Sequence, residues 1–101
     1  MIVIIQGSTG TIDVVTSIDG TATDLADVTA KIYASDKTTT EGTFTVSDTE
    51  LSKIDTGTYQ LIVDTSNGGL DLGTGRYYIE LSGTYNTKTY LDRAAFEVRF
   101  V

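Results

Sequence analysis

The side chains here that could do chemistry are carboxylates, hydroxyls and phenols, because the chain contains no histidine and no cysteine. Imidazole bases, thiolate nucleophiles, disulfides and the commonest zinc ligands are thereby removed. Serine and threonine are plentiful, but no G-x-S-x-G elbow occurs and no base stands ready to activate a hydroxyl. No catalytic residue is therefore assigned, and the chain is not expected to be an enzyme. Oxygen ligands are more numerous: Asp19, Asp24 and Asp27 fall in one loop, and Asp64 and Asp71 flank another. A calcium site would need several of these to converge, and the EF-hand spacing is absent. Aspartate is also an ordinary turn former, so neither a metal nor a cofactor is expected. Tyr33 and Tyr78 point outward in the alternation described below. They would suit either a sugar-stacking platform or an ordinary cross-strand pair.

Charge narrows the partners. Fourteen acidic and seven basic residues give a formal net charge of −7, with no cluster of lysine and arginine along the sequence. Such a field repels a polyanionic backbone, so no nucleic acid is expected as a partner. The apolar opening Met1-Ile2-Val3-Ile4-Ile5 lacks a basic flank and gives way at once to Gln6-Gly7-Ser8. It is too short for a signal peptide or a membrane span. It reads as a first strand of a protein made in a cytoplasm, with no membrane partner.

The elements that must carry these residues are strands. Threonine, valine, isoleucine and tyrosine abound, proline is absent, and Gly, Asn, Asp and Ser cluster between apolar-polar alternations. Thr11 to Ile18 places Ile12, Val14, Thr16 and Ile18 on one face, and Val28 to Ala34 does the same with Val28, Ala30, Ile32 and Ala34. Thr43 to Ser47 offers Phe44 and Val46. Ser47 to Glu50 has capping-box spacing, with Leu51 and Ile54 three apart, which predicts one helical turn. Thr58 to Asp64 turns Tyr59, Leu61 and Val63 inward, and Arg76 to Ser82 turns Tyr77, Ile79 and Leu81 inward. A hairpin at Thr84 to Thr87 feeds a last strand from Lys88 to Val101, with Tyr90, Phe96, Val98 and Phe100 inward and a bulge at Asp92-Arg93. About eight strands without a crossover helix predict one all-β domain over residues 1–101, built of antiparallel sheets packed face to face. A small closed barrel is the alternative.

Asp55-Thr56-Gly57-Thr58-Tyr59-Gln60-Leu61 has the D-x-G-x-Y spacing of the tyrosine corner in immunoglobulin-like domains, where the phenol bonds back to nearby backbone. Leu61 stands where an antibody domain would carry its second cysteine. A similar phrase recurs at Gly75-Arg76-Tyr77-Tyr78-Ile79. With Asp24-Leu25-Ala26-Asp27-Val28 and the terminal Phe96-Glu97-Val98, the layout from about Gly20 onward resembles the small immunoglobulin-like modules of tailed-bacteriophage virions. That resemblance implies an immunoglobulin-like antiparallel β-sandwich with a structural tyrosine corner at Asp55, Gly57 and Tyr59. It implies a non-catalytic decoration, tail or baseplate adaptor domain, located in the virion and assembled in the host cytoplasm. The alternative is a carbohydrate- or receptor-binding module of a surface or adsorption protein.

Sandwiches leave edge strands unpaired, and this chain has few devices to block them. The first strand is apolar on both faces, and Val15, Phe100 and Val101 add apolar surface near the ends of the chain. Ile2, Val3, Ile4, Ile5, Val15, Phe100 and Val101 are accordingly expected to touch other virion proteins, or copies of the same chain in a homo-oligomer.

Overall fold

A computed structural model describes residues 2–100. Two sheets share one hydrophobic core, the layering of a β-sandwich. The larger sheet has five strands in the order β1 (Ile2–Ile5), β10 (Lys88–Arg99), β9 (Gly75–Tyr85), β5 (Ala26–Tyr33) and β6 (Thr40–Thr45). The smaller runs β2 (Thr9–Val15), β8 (Thr58–Asp64), β7 (Leu51–Asp55). A two-stranded ribbon of β3 (Ser17–Ile18) and β4 (Thr21–Ala22) sits apart from both sheets.

The period-two patterns settle which side of each strand is dry. Tyr59, Leu61 and Val63 of β8 face Ile12 and Val14's side of the core, and Ala30, Ile32, Ile79, Leu81, Phe96 and Val98 close it from the larger sheet. Phe96 is fully buried and stacks on Tyr77, with ring centroids 5.4 Å apart. Burial of such a ring contributes about 1.5–3 kcal/mol from area alone. Leu25 and Leu72, from loops, fill the ends.

Several local expectations are corrected. The larger sheet is mixed rather than antiparallel, because β1 runs parallel to β10, from Ile2 opposite Phe96 to Ile5 opposite Arg99. The turn Gln6-Gly7-Ser8, with Gly7 at φ 88°, carries the chain from this sheet into the other. No helical turn forms after Ser47. Asp48 instead accepts from the Thr45 amide at 2.7 Å, Glu50 accepts from its neighbour Thr49, and Leu51 opens a strand. A side chain that satisfies backbone locally, as Asp48 does, competes with the helical turn expected after Ser47. Val46 lies exposed within this turn.

The bulge expected at Asp92-Arg93 is also absent, since the β9–β10 ladder keeps register from Lys88 opposite Tyr85 to Val98 opposite Gly75. The polar pair has a different cause: Arg93 stands directly across from Glu80 and forms an ion pair at 2.8 Å, while Asp92 accepts from the Ser17 amide at 3.3 Å. Bulges fall elsewhere, between Ala26 and Thr29, where Asp27 takes φ 54°, and between Ile32 and Tyr33. The last hairpin turns on Asn86 and Thr87, both at positive φ, the conformation that matches the twist of paired strands.

Candidate functional site

The residues expected to meet a partner separate into two groups. Ile4 points into the core, where it packs on the bare backbone of Gly10; a Cβ at Gly10 would come within 2.7 Å of the Ile4 side chain. Ile2, Val3 and Ile5 remain 42%, 40% and 44% exposed, on a strand whose one partner among the described residues is β10. By alternation from the Gln6 amide, which bonds the Arg99 carbonyl at 2.8 Å, the Val3 and Ile5 amides point away from β10 toward the open edge. The other sheet edges carry polar or charged residues: Thr40 and Glu41 on β6, Lys53 and Asp55 on β7, Thr11 and Asp13 on β2. The β1 edge is thus the apolar one, and it lacks the charged blockers that keep edges solitary. Val15 is exposed at the far end of β2. Phe100, expected inward, is instead 85% exposed, because β10 ends at Arg99 beyond the last core layer, formed by Val98. Val101 lies outside the described residues.

Two buried threonines fix the ends of the sandwich. Thr65 receives the Gly7 amide at 2.8 Å and donates to the Ser8 carbonyl at 2.8 Å, tying β8 to the turn between β1 and β2. At the other end Thr16 donates to the Thr23 carbonyl at 2.6 Å, and its amide bonds the Gly57 carbonyl at 2.7 Å. No buried side-chain polar atom among the described residues lacks a partner.

Gly57 and Tyr59 belong to this second end of the sandwich, while Asp55 accepts from the adjacent Thr56 amide at 2.7 Å. Gly57 sits at φ 65°, and a Cβ there would meet the Thr23 amide nitrogen at 2.7 Å and the Thr16 carbonyl oxygen at 2.8 Å. Its amide donates to Asp24 at 2.7 Å. Tyr59 is the second residue of β8, and its hydroxyl reaches the distant Leu25 carbonyl at 3.5 Å. The short backward bond expected of Tyr59 is made by Tyr77, whose hydroxyl donates to the Gly73 carbonyl at 2.8 Å, just ahead of β9. Burial pushes the Tyr77 phenol above its ordinary value, with the nearby Glu41 charge adding to the rise. The second glycine-tyrosine phrase was the signal for this corner, and its glycine-rich approach Gly73-Thr74-Gly75 supplies the acceptor.

The candidate calcium ligands have other occupations. Among the described residues no three acidic side chains converge on a common point. Asp24 is held below the usual carboxylate range by its hydrogen bond from Lys53, at 2.7 Å, and by the Gly57 amide. Asp64 is lowered by the hydroxyl and amide of Ser66. Asp19 and Asp71 take positive φ in turns.

Tyr33 and Tyr78, by contrast, are brought together. They are register partners on β5 and β9, on the outer face of the larger sheet, and Ala95 follows across β10. Lys37 rises from the β5–β6 loop to set its ammonium 5.1 Å from the Tyr78 ring centroid. The Arg93–Glu80 pair forms the next row, and the whole encloses a hollow of about 630 Å³. Comparison with protein families, curated proteins and solved structures finds no match to this chain.

Proposed function

We propose that this chain is a non-catalytic immunoglobulin-like module that assembles through protein–protein contacts, as a decoration, tail or baseplate adaptor domain of a tailed-phage virion. The single observation that carries the assembly reading is the β1 edge: an edge strand whose Val3 and Ile5 amides point outward, with Ile2, Val3 and Ile5 partly uncovered. Extended chains add to such edges by backbone pairing, with side-chain pockets setting the choice of partner.

The immunoglobulin-like reading is supported by the strand order, with β1 parallel to β10 at the edge of one sheet and β2-β8-β7 forming the other. It is supported too by the Tyr77 corner at the start of β9. The virion reading draws on the phrases around Asp24, Asp55, Gly75 and Phe96 and on their resemblance to phage modules.

The test uses Val3 and Ile5, since an aspartate at the core residue Ile4 would unfold the chain. Light scattering across a wide concentration range is expected to show association of the wild-type chain. Val3→Lys with Ile5→Lys should abolish that association while leaving the melting temperature within a few degrees. A wild-type chain that stays monomeric at every concentration, or a variant that associates equally well, would overturn pairing between copies through β1.

A further inference from the structure

The outer face of the five-stranded sheet departs from the rest of the surface in two independent ways. It presents an aromatic hollow. Tyr33 and Tyr78 stand side by side, the small Ala95 leaves room beside them, and the volume of about 630 Å³ lies within the roughly 300–1,000 Å³ of small-ligand sites. It also gathers positive charge in a chain of net charge −7. Lys31, Arg76, Arg93 and Arg99 alternate onto this face beside Glu80 and Glu97, which pair with Arg93 and Arg99, while Asp27 and Glu41 lie on β5 and β6 of the same sheet. Lys37 adds a further cation from the adjoining loop.

That loop is built rather than loose. Asp36 accepts from the Thr38 and Thr39 amides at 2.9 and 2.8 Å and from the Thr39 hydroxyl at 2.6 Å, and Lys37 is held at φ 63°. A non-glycine residue fixed in the left-handed region costs on the order of 1 kcal/mol, and here it accompanies an ammonium set over Tyr78. Arg93 spends Nε and Nη2 on one oxygen of Glu80, which leaves Nη1 and the second Glu80 oxygen outside that bridge, on two residues that line the hollow.

We propose that this hollow binds an acidic saccharide. The C–H face of a sugar ring stacks on Tyr33 and Tyr78, a ring hydroxyl donates to the free oxygen of Glu80, and the sugar carboxylate is held by Lys37 and by Nη1 of Arg93. Aromatic faces with a planar carboxylate and guanidinium at the rim suit a ligand that alternates apolar faces with hydroxyls. The local surplus of cations selects the charged sugar over the neutral one. This site is separate from the β1 edge, and its success or failure leaves the assembly reading untouched.

The test is an amide-resolved NMR titration of the intact chain with trigalacturonate and with sialyllactose, alongside maltotriose and hexaglutamate. Saturable shifts are expected at Tyr33, Tyr78 and Ala95 with at least one acidic sugar, and much weaker ones with maltotriose and hexaglutamate. Tyr78→Ala should weaken binding about tenfold, the size of one stacking contact. Lys37→Gln, at a loop side chain away from the core, should weaken it about threefold, as expected for one exposed ion pair. Absence of saturable shifts with both acidic sugars at millimolar concentration would overturn the proposal. So would equal affinity for maltotriose or hexaglutamate, or unchanged affinity in both variants.

Discussion

At Thr65 a single buried hydroxyl joins two distant stretches of chain, receiving the Gly7 amide and donating to the Ser8 carbonyl from the end of β8. In a domain without disulfides, such a clasp holds the crossing from β1 to β2 and so places the β1 edge. Thr65→Val keeps the shape and removes both bonds, leaving the Gly7 amide unpaired. Urea unfolding should show a loss of about 1–3 kcal/mol, with Thr65→Ser recovering most of it. Little of this was legible in the sequence, where Thr65 looks like one more turn residue in Thr65-Ser66-Asn67-Gly68-Gly69. A hydroxyl's partners are set by a segment 57 residues away, and no local spacing encodes that distance. The same limit applies to tyrosine: Tyr59 and Tyr77 sit in near-identical phrases, and only the fold decides that Tyr77 bonds back to Gly73 while Tyr59 reaches across to Leu25.

Strands were far more legible than clasps. Thr58 to Asp64 matches β8 in both limits, and Tyr77, Ile79 and Leu81 face the core as their alternation requires, because burial of one face fixes a period of two. What alternation does not carry is the choice of neighbour. Thus β1 was readable as an apolar strand, and its parallel seat beside β10 was not. Turns that depend on contact between elements were equally hidden. Gly57 is needed both for its positive φ and because β4's neighbourhood presses on it, so Gly57→Ala should destabilise the fold by about 2 kcal/mol or more, through strain and displacement of backbone at Thr16 and Thr23. Thermal unfolding measures this. A loss below about 0.5 kcal/mol would fall within the range of ordinary surface substitutions and would mean that the β3–β4 ribbon is free to move away.

For the molecule as a whole, charge sets the pH range over which it is stable. Asp36, held by Thr39 and Thr38, titrates at about 2, and Asp24 and Asp64 are lowered by Lys53 with Gly57 and by Ser66. Unfolded aspartates take up protons near pH 3.9, ahead of these folded ones, so the stabilisation is complete above about pH 4 and is lost as pH falls toward 2. Tyr77 works at the other limit: its raised phenol adds stability below its unfolded value, and that is lost as pH climbs through the folded one. The melting temperature should therefore hold level from weakly acid to weakly alkaline pH and fall below about pH 4; a level profile down to pH 2 would contradict the assigned carboxylate bonds. In the reading proposed above, the β1 edge serves assembly and the aromatic hollow on the outer face of the larger sheet holds a ligand. The most direct measurement of the central claim is amide hydrogen exchange along β1 at low and at high protein concentration. Pairing through this edge predicts that the Val3 and Ile5 amides exchange freely when dilute and become protected when concentrated, while β6 and β7 edges stay unchanged. Equal exchange at Val3 and Ile5 across the concentration range, under conditions where the chain associates, would contradict it.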